Sequence, residues 1–97
     1  MKRLFLLVIL IAPLSAMAQD LQARCTAMSE IVGAAVLERQ SGNSLRNAIH
    51  SIRANLRGDL AASKDDVPSL VDWVYGIPDR DFGSNVKADY LQACLNR

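Results

Sequence analysis

The stretch DLQARCTAMSEIVGAAVLERQ, residues 20–40, has the longest helical pattern outside the apolar start of this 97-residue chain. Its apolar side chains recur at spacings of three and four, which places them on one face of an α-helix. The residues of this face are Leu21, Cys25, Met28, Val32, Ala35 and Val36. Asp20 is suited to cap the helix, and Gly42 is suited to end it. We therefore expect a long amphipathic helix with polar residues such as Ser29 largely off the buried face.

A second helix is predicted after Ser44, which is a favourable N-cap residue, and it should end before Gly58. Its apolar face consists of Leu45, Ala48, Ile49, Ile52 and Leu56. Residues 59–66 are less periodic and fit either a helical extension or a loop. In the first helix, Gly33 costs stability relative to Ala, so its presence beside two alanines favours a close crossing with another helix.

Two more helices are predicted in the last third of the chain. Pro68 suits a first helical turn, and the preceding Asp65 and Asp66 suit a helix N-terminus. The apolar face of this third helix consists of Leu70, Val71, Val74 and Tyr75. Residues 76–78, Gly-Ile-Pro, should end it, and Ser84 should cap a fourth helix. The apolar residues of the fourth helix are Val86, Tyr90, Leu91, Ala93, Cys94 and Leu95.

No segment alternates polar and apolar residues for long enough to predict a strand, so we expect an all-α bundle of about four helices.

Residues 1–18 differ in kind from the rest and have the pattern of a secretory signal peptide. Lys2 and Arg3 precede an apolar run, and residues 16–18, Ala-Met-Ala, place small residues at the two positions that a signal peptidase recognises. The apolar run is about half the length that spans a bilayer. We expect cleavage after Ala18, a helical domain over residues 19–97, no membrane attachment after cleavage, and a periplasmic location.

Export changes the interpretation of charge and cysteines. Removing residues 1–18 takes away two basic residues and no acid, so nine basic and ten acidic side chains remain and the formal net charge falls from +1 to about −1. The basic residues form no block, which argues against nucleic acid as a partner. In an oxidising compartment, Cys25 and Cys94 are expected to form one disulfide. That bridge would hold the first and last helices side by side.

Candidate catalytic and metal-binding residues are few. His50 is the only histidine, and without a second histidine or a free thiol it has no partner for nucleophilic catalysis. Asp79, Asp81 and Asn85 share a loop, but their spacing departs from a calcium loop and favours turn formation. We therefore predict no enzyme activity, no metal site and no cofactor.

Two surfaces are candidates for binding another protein. The aromatic residues of positions 19–97 are concentrated in one stretch, which contains Trp73 and Tyr75 with Ile77 and Phe82. Trp73 lies off the apolar face of its helix, so it either closes one edge of the core or belongs to a binding surface. The arginines of the second predicted helix and its end are Arg46, Arg53 and Arg57. They fit either a solvated face or a surface for an acidic partner.

The overall layout resembles a loose group of small, uncharacterised secreted proteins of Gram-negative bacteria. The resemblance consists of the signal peptide, Cys25, the motif Arg39-Gln40-x-Gly42, the motif Val71-x-x-Val74-Tyr75-x-x-Pro78, and Cys94. It implies no activity. The chain also has a weaker resemblance to acid-activated periplasmic chaperones, which are small, helical and held by one disulfide. We therefore expect a monomer or weak homodimer that binds another protein, with a stress chaperone as the alternative.

Overall fold

The computed structural model describes the backbone of residues 2–97 and the side chains of residues 16–97. It contains four α-helices, α1 (Lys2–Gln40), α2 (Leu45–Asn55), α3 (Val67–Gly76) and α4 (Val86–Leu95). Two 3₁₀ segments, Gly58–Asp66 and Asp79–Asp81, flank α3. The described residues contain no strand, and the predicted all-α fold is confirmed.

Helix α1 ends as its sequence predicts. Gly42 has φ = +82°, a left-handed conformation that glycine adopts without strain. The N–H of Gly42 donates to the carbonyl of Arg39 (3.0 Å), and the N–H of Asn43 donates to that of Glu38 (3.1 Å). These two bonds satisfy carbonyls that the end of the helix would otherwise leave free.

The predicted start of α1 is wrong, because the helix runs through Asp20 without a break. Nothing between Leu14 and Asp20 opposes helix formation, so local propensity carries the helix across the predicted cap. Leu21 is also misplaced by the prediction, since it is 43% exposed. The predicted signal peptide falls on residues 1–18, of which residues 1–15 lie outside the described side chains.

A single apolar core joins the four helices. Every helix contributes buried residues to it, and α1 and α3 contribute four each. The buried residues of the core are Ile31, Val32, Ala35, Val36, Ala48, Ile52, Val67, Leu70, Val71, Val74 and Val86. Ser29 is also buried, contrary to the prediction, and it remains hydrogen bonded because its hydroxyl donates to the carbonyl of Thr26 (2.7 Å). Without that partner, burial of the hydroxyl would destabilise the fold.

Helices α1 and α4 pack antiparallel along most of the length of α4. The disulfide Cys25–Cys94 joins them at one end, with 5.7 Å between the Cα atoms, and confirms the predicted pairing. At the other end Lys87 lies against Gly33, where an added Cβ would come within 2.9 Å of the Lys87 Cδ. The close approach predicted at Gly33 is therefore made by a side chain of α4.

The predicted caps of α2 and α4 have different outcomes. The Ser44 hydroxyl accepts a hydrogen bond from the N–H of Asn47 (3.2 Å), so the α2 cap is confirmed. Ser84 does not cap α4, because Asn85 precedes the helix in a helical conformation and makes no side-chain cap. A turn leads into α4 instead, with the N–H of Val86 donating to the carbonyl of Gly83 (3.3 Å).

Among the described residues, no helix is both long enough and apolar enough to cross a membrane.

Candidate functional site

The structure separates Trp73 from the other three residues predicted to form one surface. Trp73 and Tyr75 are two positions apart on α3, so they point in roughly opposite directions from the helix axis. Trp73 lies towards α4, where its ring packs on Tyr90. Tyr75 lies towards the end of α1, and Ile77 and Phe82 lie around Arg39. The four residues therefore belong to two regions.

Trp73 is the large apolar side chain that is both exposed and held in place by another aromatic ring. It is 47% exposed, and its ring centroid lies 5.6 Å from that of Tyr90, with the planes tilted by 58°. This is within the favoured range for aromatic pairs. The Tyr90 hydroxyl in turn lies 3.6 Å from the sulfur of Met28 on α1. Trp73 is thus supported by contacts that reach two other helices.

A groove of about 550 Å³ runs beside this aromatic pair, between α3 and α4. We call it the α3–α4 groove, and its lining residues are Ser69, Leu70, Trp73, Asp89, Tyr90, Ala93, Cys94 and Arg97. Because Cys94 is bonded to α1 and is only 3% exposed, one side of the groove is built on the disulfide. An aromatic wall on a cross-linked frame is a preorganised surface of the kind that favours binding.

Arg39 organises the region that contains Ile77 and Phe82. Its Nη1 donates to the carbonyls of Val74 and Ile77, both at 2.8 Å, and its Nη2 contacts the Asp79 carboxylate at 2.8 Å. The Arg39 Cζ also lies 3.9 Å from the centroid of the Phe82 ring. Arg39 therefore satisfies the Ile77 carbonyl, gives the Val74 carbonyl a second hydrogen bond beside that from the Ile77 N–H, and joins the end of α3 to α1.

In the sequence, Arg39 belongs to the motif Arg39-Gln40-x-Gly42, which by itself indicates no role for the side chain. A signal was present, because Arg39 lies three residues after Val36 and seven after Val32, spacings that place it on the apolar face of α1. A cation on an apolar face needs internal hydrogen-bond partners. The side chain is accordingly only 16% exposed.

Tyr75 attaches α3 to the turn after α1. Its hydroxyl donates to the carbonyl of Asn43 (2.8 Å). Burial raises the pKa of Tyr75 above its usual value, the negative charge of Glu38 raises it further, and the positive charge of Arg39 opposes them. The neutral phenol is the form that suits this site, since only that form donates the hydrogen bond.

The residues considered for catalysis or metal binding do not converge. His50 is exposed on α2. In the loop before α4, Asp79 contacts Arg39, Asp81 lies 3.8 Å from Arg80, and Asn85 donates to Asp89. Within the part of the chain that the structure describes, no group of three or more His, Cys, Asp or Glu side chains is placed to hold a metal ion.

A larger groove of about 810 Å³ lies between α1 residues 19–30 and the 3₁₀ residues 59–63. Its apolar lining consists of small side chains and Leu60, with no aromatic residue. It therefore offers less contact area for an anchoring side chain than the α3–α4 groove does.

Comparison with known proteins found no match to this chain among protein-family models, curated proteins or solved structures.

Proposed function

We propose that this is an exported protein of the periplasm that acts without catalysis, by binding another protein through the α3–α4 groove. The observation that carries the proposal is the half-exposed Trp73 packed on Tyr90 beside that groove. Tryptophan and tyrosine are enriched at the centres of protein interfaces, because they bury a large area at little cost in side-chain entropy. We also include in this proposal that the chain is one of the small secreted proteins of Gram-negative bacteria that its sequence resembles.

Export is supported by the pattern of residues 1–18 and is compatible with the disulfide, since disulfides persist in oxidising compartments. It has a direct test. Mass spectrometry of the protein purified from the periplasm should find Gln19 at its N-terminus. Recovery of the chain with residues 1–18 attached would contradict this part of the proposal.

The acid-activated chaperone is the alternative, and the described residues offer it little support. Opening at low pH requires carboxylates that stabilise the fold in their charged form. Of the ten acidic side chains in the described residues, nine are exposed and Glu38 is half-buried. The exposed ones include Asp79, whose carboxylate contacts Arg39 but remains fully accessible to solvent. Protein binding in the closed, folded state is the function that this geometry favours.

A crosslinking pull-down from the periplasm of the native host tests the groove. Three baits are compared: the oxidised protein, Trp73→Ala, and Leu37→Ala. Leu37 is a matched control, because it is also a large exposed apolar residue, 64% exposed, but lies on α1. We expect one stoichiometric partner that Trp73→Ala loses and Leu37→Ala retains.

The circular dichroism spectra of all three baits should agree, because a partner lost through unfolding says nothing about the groove. Equal capture by Trp73→Ala and the unchanged protein would contradict the proposal. Many weak partners that appear only after acid shock would favour the chaperone.

A further inference from the structure

Helix α2 presents a row of basic and polar side chains to solvent. Arg46, His50 and Arg53 follow one another at spacings of four and three and are all exposed. On an α-helix these spacings keep the three side chains within an arc of about 60°, over a length of about 10 Å. Arg57, also exposed, follows just past the end of the helix. We call this surface the α2 basic face.

The arginines of the α2 basic face have no acidic partner in the described part of the chain. The three ion pairs of the described residues all lie elsewhere, and they join Arg39 to Asp79, Arg80 to Asp81, and Lys87 to Glu30. Helix α2 itself contains no Asp or Glu. Across residues 41–57 the chain has three arginines and no acidic residue, although residues 19–97 as a whole have ten acidic and nine basic side chains.

Helix stability accounts for Arg53 but not for Arg46. The partial positive charge at a helix N-terminus favours acidic residues in the first turn, yet α2 has none there and carries Arg46 instead. Arg53, in the last turn, is favourably placed. Neither the stability of α2 nor an ion pair among the described residues therefore explains Arg46.

We propose that the α2 basic face docks a carboxylate-rich segment of a partner protein. A guanidinium group pairs with a carboxylate through two parallel hydrogen bonds. Two guanidinium groups on one helix face, separated by one helical turn or more, therefore suit a partner segment whose acidic residues have a similar spacing. The apolar side of α2 already packs into the core through Ala48 and Ile52. It is therefore not available to insert into a lipid surface, which is how amphipathic helices hold to membranes.

The α2 basic face and the α3–α4 groove are separate surfaces. Helix α2 packs on α1 and α3, whereas the groove lies between α3 and α4. Each surface can therefore fail its own test while the other stands.

Amide NMR titration with a polyglutamate peptide tests the proposal. We expect the peptide to shift resonances of α2 at low salt, with binding weakened at physiological salt because exposed charges are screened. Arg46→Gln/Arg53→Gln should weaken binding about tenfold, since it removes two of the pairing groups. Glutamine keeps a good helix propensity, so these exposed changes should leave the fold intact.

The control is Arg24→Gln/Arg80→Gln, which makes the same change in net charge at exposed positions outside α2. It should weaken peptide binding by less than about twofold. Equal weakening by both double variants, or shifts spread over the whole surface, would reduce the effect to net charge and overturn the proposal. Cosedimentation with phosphatidylglycerol vesicles, lost in Arg46→Gln/Arg53→Gln and seen without peptide binding, would assign the face to a lipid surface instead.

Discussion

Residues 16–24 and residues 25–40 belong to one continuous helix, α1, but only the second region contributes buried side chains to the bundle. Every side chain from Ala16 to Arg24 is exposed. From Cys25 onward the helix forms the disulfide, supplies core residues and ends in the contacts of Arg39. The difference shows that helical backbone and tertiary fold have separate causes. Local propensity extends α1 towards the N-terminus, whereas packing begins at Cys25.

The proposed cleavage after Ala18 falls within the exposed region of α1. Ala18 and Gln19 are both exposed and lie before the first buried residue of α1, which is Cys25. Removal of residues 1–18 would therefore take away no described side chain that packs in the core. The predicted processing site and the start of the bundle are consistent with each other.

The largest effect is expected at the boundary between the two regions. Cys25→Ser/Cys94→Ser removes a cross-link that closes a loop over a sequence separation of 69 residues. By the chain-entropy model, the unfolding free energy should fall by about 4 kcal/mol. Urea denaturation followed by circular dichroism measures it.

The matched comparison is the unchanged protein with and without a reducing agent. Reduction should lower the stability of the unchanged protein to near that of the double serine variant. If the two differed by more than about 1 kcal/mol, the serine hydroxyls at these buried positions would contribute a cost of their own.

The next largest effect distinguishes two arginines of the same helix. Arg39→Met removes hydrogen bonds to two carbonyls at the end of α3, and we expect a loss of about 3 kcal/mol. Arg24→Met, in the exposed region, should change stability by less than about 0.5 kcal/mol. Methionine retains most of the apolar length of the side chain, so the difference reports the guanidinium contacts. Similar losses in both variants would contradict the distinction between the two regions of α1.

Much of the fold could be predicted because its signals are local. Gly42 ends α1, Ser44 caps α2 and Pro68 begins α3 through interactions within a few residues, and all three were predicted. Arg39 bonds carbonyls of Val74 and Ile77 that come within reach only after folding, and the burial of Ser29 depends on how α1 packs in the bundle. Their roles could not be assigned from spacing alone.

The candidate site likewise combines features that local sequence predicts with features that depend on tertiary packing. The partial exposure of Trp73 follows from its position off the apolar face of α3, which the sequence pattern predicts. Its contact with Tyr90 depends on the rotation of α4, which packing and the disulfide determine together. The separation of Trp73 from Ile77 and Phe82 likewise depends on how the chain folds after α3.

A smaller effect is expected at Tyr75, which joins α3 to the turn that ends the packed region of α1. Tyr75→Phe removes a hydrogen bond to the Asn43 carbonyl, and about 1 kcal/mol of stability should be lost at pH 7. The loss should shrink at alkaline pH. The folded-state pKa of Tyr75 is raised, so its contribution is complete below the unfolded pKa of about 10 and is lost as the pH rises through the folded value.

Urea denaturation of both proteins at pH 7 and at steps above pH 9 checks this dependence. Other titrating groups are common to the two proteins, so the difference between them isolates Tyr75. A difference that grew with rising pH would have the wrong sign and would contradict the raised pKa.

The smallest effect tests how closely α4 approaches the packed region of α1. Gly33→Ala should gain about 1 kcal/mol from helix propensity. The new Cβ, however, would come within 2.9 Å of the Lys87 Cδ, so Lys87 has to move and its contact with Glu30, 3.0 Å long, would be disturbed. We expect these opposing effects to leave a net change below about 0.5 kcal/mol.

Repeating Gly33→Ala in a Lys87→Ala background separates the two effects, because the obstructing side chain is then absent. The alanine should there stabilise the protein by about 1 kcal/mol, and the difference between backgrounds measures the coupling of Gly33 and Lys87. Equal effects in both backgrounds would mean that Lys87 moves aside without cost. A glycine at position 33 would then not be required for the approach of α4 to α1.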